Sequence, residues 1–357
     1  GTAYNAAQLF HFIAAAFFAN STTWSEPKQL PRTQIYHPTQ KEPTLNDWQQ
    51  QWHSDNAVVI VLFYRTHLQT GNTQMLDEWL PLLAAEKLNP LPIAISSLKD
   101  KECTTLIEDL ARRTQAQIIL NTTGFSAQHN DIPALSCNIP VLQVIMASST
   151  EQDWQQHATG LRARDIAMHI ALPELDGRII TRAISFKTSL EYKKRSQIDV
   201  IQYQLQAERA IFVAKLAYNT CKLSQKPNAE KRIAIILANY PTKDGRIGNG
   251  VGLDTPASTL QFLHALKTAQ YPIANCPSTG NELIERLQET VTNSLETVFT
   301  SACWQSIDLN TYQHYFAQMP EQNQQAVLTR WGKPNTDPKH RHGRMMIAGL
   351  RLGEVFV

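Results

Sequence analysis

Two stretches of the chain carry side chains whose types and spacing suit chemistry. In the first, Leu172-Pro173-Glu174-Leu175-Asp176-Gly177-Arg178, two carboxylates lie two positions apart and a guanidinium follows. On extended backbone Glu174 and Asp176 would share one face, where they could take a proton or offset a cation's charge. The plainer alternative is an Asp-Gly turn in which Arg178 pairs with a carboxylate. In the second stretch, glycines at 245, 248, 250 and 252 interleave with Asp244, Arg246, Asn249 and Asp254. Glycine supplies positive φ and lets a backbone approach something closely, and the charged neighbours suit a polar or anionic ligand. Gly248-Asn249-Gly250-Val251-Gly252 lacks the third glycine of a dinucleotide fingerprint, and no Gly-Lys-Ser/Thr follows, so a nucleotide cradle is disfavoured.

A third group, Arg65, His67 and Asn72, follows the apolar run Ala57 to Tyr64. A neutral imidazole serves as base or metal ligand, although a histidine here also suits a helix cap. His340 and His342 form a His-x-His pair, but Lys339, Arg341 and Arg344 surround it with charge that repels a cation.

These residues need a scaffold, and apolar periodicity indicates one. Ala57 to Tyr64, Leu91 to Ile95, Ile118 to Asn121 and Val141 to Met146 read as buried strands. Thr73 to Lys87 and Cys103 to Thr114 read as helices between them. Such alternation predicts a parallel sheet with right-handed crossovers. Arg65, His67, Asn72, Thr122 to Gly124 and Ser148 to Ser149 then fall at one sheet edge, where open α/β sheets bind ligands. Ile233 to Leu237, the glycine loop, and a helix capped by Thr255 with Pro256 behind it repeat the plan. The predicted fold class is α/β, as two doubly wound parallel-sheet (Rossmann-like) units with helical connections.

The expected organisation is an N-terminal helix and linker over 1–31, a first α/β domain over 32–150, and a helical and extended connection over 151–225. A second α/β unit with the glycine loop follows over 226–300, then a truncated helical segment over 301–357. Within these, Lys187 to Arg195 reads as an exposed basic connection, Tyr271 to Ala274 as a short strand, and Ser294 to Gln325 as helical.

The 357 residues carry a net charge of +2, which gives no support for a nucleic-acid or membrane-surface partner. Five scattered cysteines without a Cys-x-x-Cys pair argue against a disulfide scaffold and fit a reducing cytoplasm. The apolar start is interrupted by Asn5, Gln8 and His11 and has no basic n-region, so an amphipathic helix is expected rather than a signal peptide. No membrane span is expected.

Three long stretches resemble one family. These are LANYPTKDGRIGNGVGLDTPAST, the segment Ile139 to Lys187, and the segment Val61 to Asp100. They look like the large subunit of aerobic cobaltochelatase (the CobN type), which is related to the porphyrin-binding H subunit of magnesium chelatase. The resemblance implies a tetrapyrrole-binding subunit that inserts cobalt into a corrin precursor in cobalamin biosynthesis. It implies no resident cofactor on this chain. Cobalt is the substrate metal, and AAA+ type ATPase chelatase subunits hydrolyse the ATP. It further implies a longer family polypeptide, of which this chain is an inactive N-terminal portion. On that reading Glu174, Asp176 and His67 are candidates for proton acceptance. Arg65, Asn72, Arg178, Asp244, Arg246, Asn249 and Asp254 are candidates for substrate contact. Arginines suit the substrate's carboxylates.

Overall fold

The computed structural model describes residues 3–18, 20–126, 135–158, 160–195, 197–238, 244–292, 294 and 298–357, less the side chains of Ala3, Leu190, Glu191, Lys193 and Asp244. The chain divides into two units, Gly1–Ser224 and Gln225–Val357, each with its own hydrophobic core.

The first unit opens with α1 (Ala3–Phe17). Phe12 meets Trp24 edge-on at 5.0 Å and Asn5 Nδ2 donates to the Lys28 carbonyl at 2.9 Å. The helix packs on its own linker and leaves Leu9, Phe10 and Phe17 exposed. Then follow β1 (Thr33–Ile35), α2 (Leu45–Gln49), β2 (Ala57–Tyr64), α3 (Thr66–Thr70), α4 (Gln74–Ala85) and β3 (Leu88–Ile95). Next come α5 (Lys101–Thr114), β4 (Ile118–Asn121), β5 (Val141–Met146), α6 (Glu151–Gln156), α7 (Ala163–Ile166), a π-helical turn (Ala167–Ala171) and α8 (Leu172–Leu175). The unit closes with β6 (Ile179–Lys193), β7 (Ile198–Leu205) and α9 (Ala207–Gln225), whose last residue enters the second unit.

The sheet order is β1-β3-β2-β4-β5-β6-β7. The five central strands are parallel, and β1 and β7 add antiparallel edges. The parallel strands have the doubly wound order that reverses between β2 and β4, so a ligand crevice is expected beyond the ends of those two strands. Apolar β-branched runs make this possible: Val59 to Phe63 are wholly buried, with helices on the faces. Trp79 and Leu83 of α4, and Cys103 and Ile107 of α5, fill the same core. Asp100 caps α5, its side chain accepting from Glu102 N at 3.1 Å.

The stretch expected as a connection over 151–225 supplies two strands of this sheet. β6 and β7 form a long antiparallel pair, and Lys187 to Arg195 is largely its distal half rather than a loose link. Tyr192, Ile198 and Ile201 stay exposed there. A strand half out in solvent carries the polar alternation that reads as a connection.

The second unit comprises β8 (Ile233–Ala234), α10 (Thr255–Thr268), α11 (Gly280–Gln288), β9 (Gln305–Asp308), α12 (Leu309–Ala317), α13 (Glu321–Trp331), β10 (His340–Arg341), β11 (Arg344–Ile347), β12 (Arg351–Leu352) and β13 (Val355–Phe356). It is α/β, but the expected second doubly wound parallel sheet is replaced, among the described residues, by two small sheets. One is mixed, β12-β13-β8, with β8 parallel to β13; the other is antiparallel, β10-β11-β9. Tyr271 to Ala274 is irregular, and β9 interrupts the expected helix over Ser294 to Gln325. Gly353 sits at φ +72°, where a Cβ would collide with the Pro272 carbonyl oxygen, so this turn admits only glycine.

Trp79 is among the largest wholly buried side chains of the first unit. Trp79→Ala is expected to lower its unfolding free energy in urea by about 3–5 kcal/mol through the cavity it leaves. A loss under about 1 kcal/mol would mean that α4 is not packed on the sheet as described.

Candidate functional site

At the carboxyl edge of the first sheet, polar side chains meet inside the core. Asn121, at the end of β4, donates through Nδ2 to Gln143 Oε1 at 2.8 Å and to the Thr123 carbonyl at 3.1 Å. Gln143 Nε2 donates to that same carbonyl at 2.9 Å. Arg178, just before β6, reaches into the cluster: Nη1 donates to Gln143 Oε1 at 3.1 Å and Nη2 to Asp176 Oδ2 at 2.6 Å. Ser126 Oγ donates to the other Asp176 oxygen at 2.5 Å. The Arg178 and Asp176 side chains are only 4% and 9% exposed. A buried ion pair needs further partners, and here both Asp176 oxygens and both Arg178 Nη atoms have them.

This cluster fastens the loop that leaves β4. Tyr64 OH donates to the Gly124 carbonyl at 3.1 Å, and Phe125 N donates to the Met168 carbonyl at 2.8 Å. A Cβ on Gly124 would lie 3.0 Å from the Met168 carbonyl oxygen and 3.3 Å from the His169 ring, so the loop and the π-helical turn close on each other because residue 124 has no side chain. The crevice between β2 and β4 is therefore bridged by its own loop.

The other predicted residues of this unit separate by burial. Asp176 follows α8 as its C-cap, so Glu174 and Asp176 are on a helical turn rather than an extended segment, and Glu174 faces solvent. His67 lies in α3 against Phe63 and Tyr203, with ring centroids 6.5 and 5.6 Å away. Asn72 accepts from Tyr203 N at 3.2 Å, tying β7 to the end of α3. Arg65 donates to the Pro31 carbonyl at 3.0 Å and lines a polar recess of about 380 Å³ with Arg32, Gln69, Ser96 and Asp100.

In the second unit Arg246 ends a 3-10 turn and is exposed, and Asn249 N donates to its carbonyl at 3.0 Å. Asp254 is the N-cap of α10 in place of Thr255, its carboxylate accepting from Ala257 N at 3.0 Å. Between them Val251 and Leu253 stand out in solvent. The Asp244 side chain lies outside the described residues. Among the described residues no group of three or more His, Cys, Asp or Glu side chains converges as a metal site, and no helix is long and apolar enough to cross a membrane.

Sequence reasoning placed Asn121, Thr123 and Gly124 at this edge but missed Gln143, Ser126 and His169 as participants. Gln143, a lone amide within the apolar strand β5, was the available signal. His169 sits on the π-helical turn with Nδ1 buried and unpaired. π-Helical turns concentrate at functional places.

Burial lowers the pKa of both His67 and His169 below the ordinary 6.5. Burial also lowers that of Arg178, while Asp176 pulls it back up. Neutral histidines are thus favoured in the folded state, and the unfolded chain binds their protons at higher pH. Stability is full above pH 6.5 and drains as the pH falls below it toward the folded-state values. His67→Gln with His169→Gln should flatten the dependence of urea stability on pH between about 7 and 5; an unchanged slope would refute their burial as neutral groups. Arg178→Ala should cost about 3–5 kcal/mol by stranding Asp176, and Asp176→Leu with Arg178→Met should recover most of it. Equal losses in the single and double variants would contradict a pairing role.

Comparison with known proteins gives the family. A family profile described as CobN/Magnesium Chelatase matches residues 1–357. The chain is 48% identical to the aerobic cobaltochelatase subunit CobN of Pseudomonas aeruginosa, over 99% of its own length and 28% of that protein's. It is 34% identical to the CobN of a Sinorhizobium species, and 21% identical to the H-type magnesium-chelatase polypeptide of Chlorobaculum parvum. It thus spans about 28% of the length of these curated relatives. A solved structure, the catalytic subunit of cobaltochelatase from Mycobacterium tuberculosis, covers the whole chain at a TM-score of 0.72 and 26% identity, with 29% of that subunit matched. The sequence match and the shared fold agree, and the chain belongs to the CobN/magnesium chelatase family.

Proposed function

We propose that this chain is part of the tetrapyrrole-binding subunit of an ATP-dependent cobaltochelatase, acting in the cytoplasm on a corrin precursor, hydrogenobyrinic acid a,c-diamide. The observation that carries the reading is 48% identity to a cobaltochelatase subunit across 99% of the chain, against 21% to a magnesium-chelatase subunit. Cobalt and the corrin are substrates on this reading, and AAA+ type partner subunits supply ATP hydrolysis.

We sort the candidate residues into two proposed roles. Asp176, Arg178, His67 and Asn72 are engaged with their own fold, so we assign them to holding the sheet edge in shape. Arg246, on an exposed loop, and Arg65, in a polar recess, keep donors for the carboxylates of a substrate. Asn249 and Asp254 position the glycine loop, and Asp244 belongs to that loop. Glu174, an exposed carboxylate, is our candidate to accept a pyrrole proton.

A second reading makes the 357 residues a non-catalytic scaffold or docking module for the ATPase subunits. The mutual saturation of Asp176 and Arg178 is what favours it.

Absorbance titration of the full-length polypeptide with hydrogenobyrinic acid a,c-diamide and with protoporphyrin distinguishes the readings. Saturable binding at least about tenfold tighter for the corrin is expected, a difference of about 1.4 kcal/mol. A preference for the porphyrin would instead favour the magnesium branch. Binding unchanged in Arg246→Ala and Arg65→Ala would leave the chain as scaffold.

A further inference from the structure

The strand that opens the second unit is built for a position it does not occupy. Ile233-Ala234-Ile235-Ile236-Leu237 is an unbroken apolar run, the composition of a strand covered on both faces and paired on both edges. In the structure β8 is an edge strand. Ile233 N and Ile235 N donate to the Glu354 and Phe356 carbonyls at 3.1 and 2.8 Å. Strand alternation turns the N–H and C=O of Ala234 and Ile236 to the opposite edge, where no strand pairs with β8 among the described residues. Ile236 is 93% exposed.

Beside this strand lies a cavity of about 970 Å³. Ile235, Leu237, Ile247, Val291, Ile347 and Val357 contribute apolar walls to it. Ile233, Ile235, Leu237 and Ile247 are only partly buried against the small core of Leu263, Leu283, Leu287 and Val355. Among the described residues this apolar edge is unpaired and borders an open, largely apolar cavity, which makes it a template for strand addition, and soluble proteins normally cover such an edge. The occupant is indicated by length, since curated relatives extend well beyond the 28% of their sequence that this chain matches.

We propose that β8 is an internal strand of the full-length family polypeptide. A further apolar β-strand, from the part of that polypeptide outside these 357 residues, pairs with the open edge at Ala234 and Ile236 and fills the cavity. The occupant would alternate large apolar side chains toward the cavity. This rests on the edge, the cavity and the relatives' length, and stands whether or not the chain touches a corrin.

Hydrogen exchange of the peptide spanning residues 232–238 tests it in the purified full-length polypeptide without partners, at several concentrations. The amides of Ala234 and Ile236 should exchange at least about 100-fold slower than in an unstructured chain, independently of concentration, as amides of a packed strand do. Ile236→Asp should return them to fast exchange, but the wild-type result decides even if that variant fails to fold. Fast exchange under all conditions would overturn the proposal. Protection that grows with protein concentration would also overturn it, assigning the edge to a second copy. Protection only on addition of ATPase subunits would overturn it in favour of a separate partner.

Discussion

The carboxyl edge of the first sheet depends on the burial of one guanidinium. Arg178 cannot shed its charge, so its place in the core requires Asp176, Gln143 and the Thr123 carbonyl at fixed positions. Those three partners belong to the turn after α8, to β5, and to the loop after β4. Meeting one side chain's demand therefore registers three separate parts of the chain. The same constraint draws Ser126 onto Asp176 and holds the loop against the π-helical turn, where Gly124 permits the approach. The place where a doubly wound sheet ordinarily opens to a ligand is here held by polar bonds internal to the protein.

This arrangement bears on the roles proposed for the candidate residues. A carboxylate with both oxygens bonded, and a guanidinium shared between a carboxylate, an amide and a carbonyl, have little capacity left for a substrate. His67 is half-buried against two aromatic rings and Asn72 is committed to β7. The groups that remain available lie on the periphery: Glu174 past the clamp, Arg65 in its recess and Arg246 on the glycine loop.

Much of the first unit was legible in the sequence. β2, β3, β4 and β5 announce themselves because strands covered on both faces must be apolar throughout, and α4 and α5 show a clean helical stripe. The Asp176–Arg178 pair was legible as one of two readings of an Asp-Gly turn, and burial decides between them. β6 and β7 were not legible, because a pair standing half in solvent mixes polar and apolar residues as a linker does. Gln143 was hidden for the opposite reason: an amide in an apolar strand has no meaning until its partners, 22 and 35 positions away, are brought beside it. In the second unit the apolar run at Ile233 has the composition of a buried strand of a parallel sheet. Its environment among the described residues is a three-stranded one, and strands of two to four residues leave no periodicity to read.

We propose that the buried pair serves the fold and takes no part in the chemistry, and that the exposed arginines meet the substrate. Cobalt insertion by the full-length polypeptide with its ATPase partners tests it, using Asp176→Leu with Arg178→Met on one side and Arg246→Ala on the other. The account predicts that the double replacement, where folded, keeps kcat/KM within about threefold, and that Arg246→Ala lowers it by about tenfold or more, chiefly through KM. Abolished turnover in a stably folded double variant, with Arg246→Ala unaffected, would contradict it and return Asp176 to the chemistry.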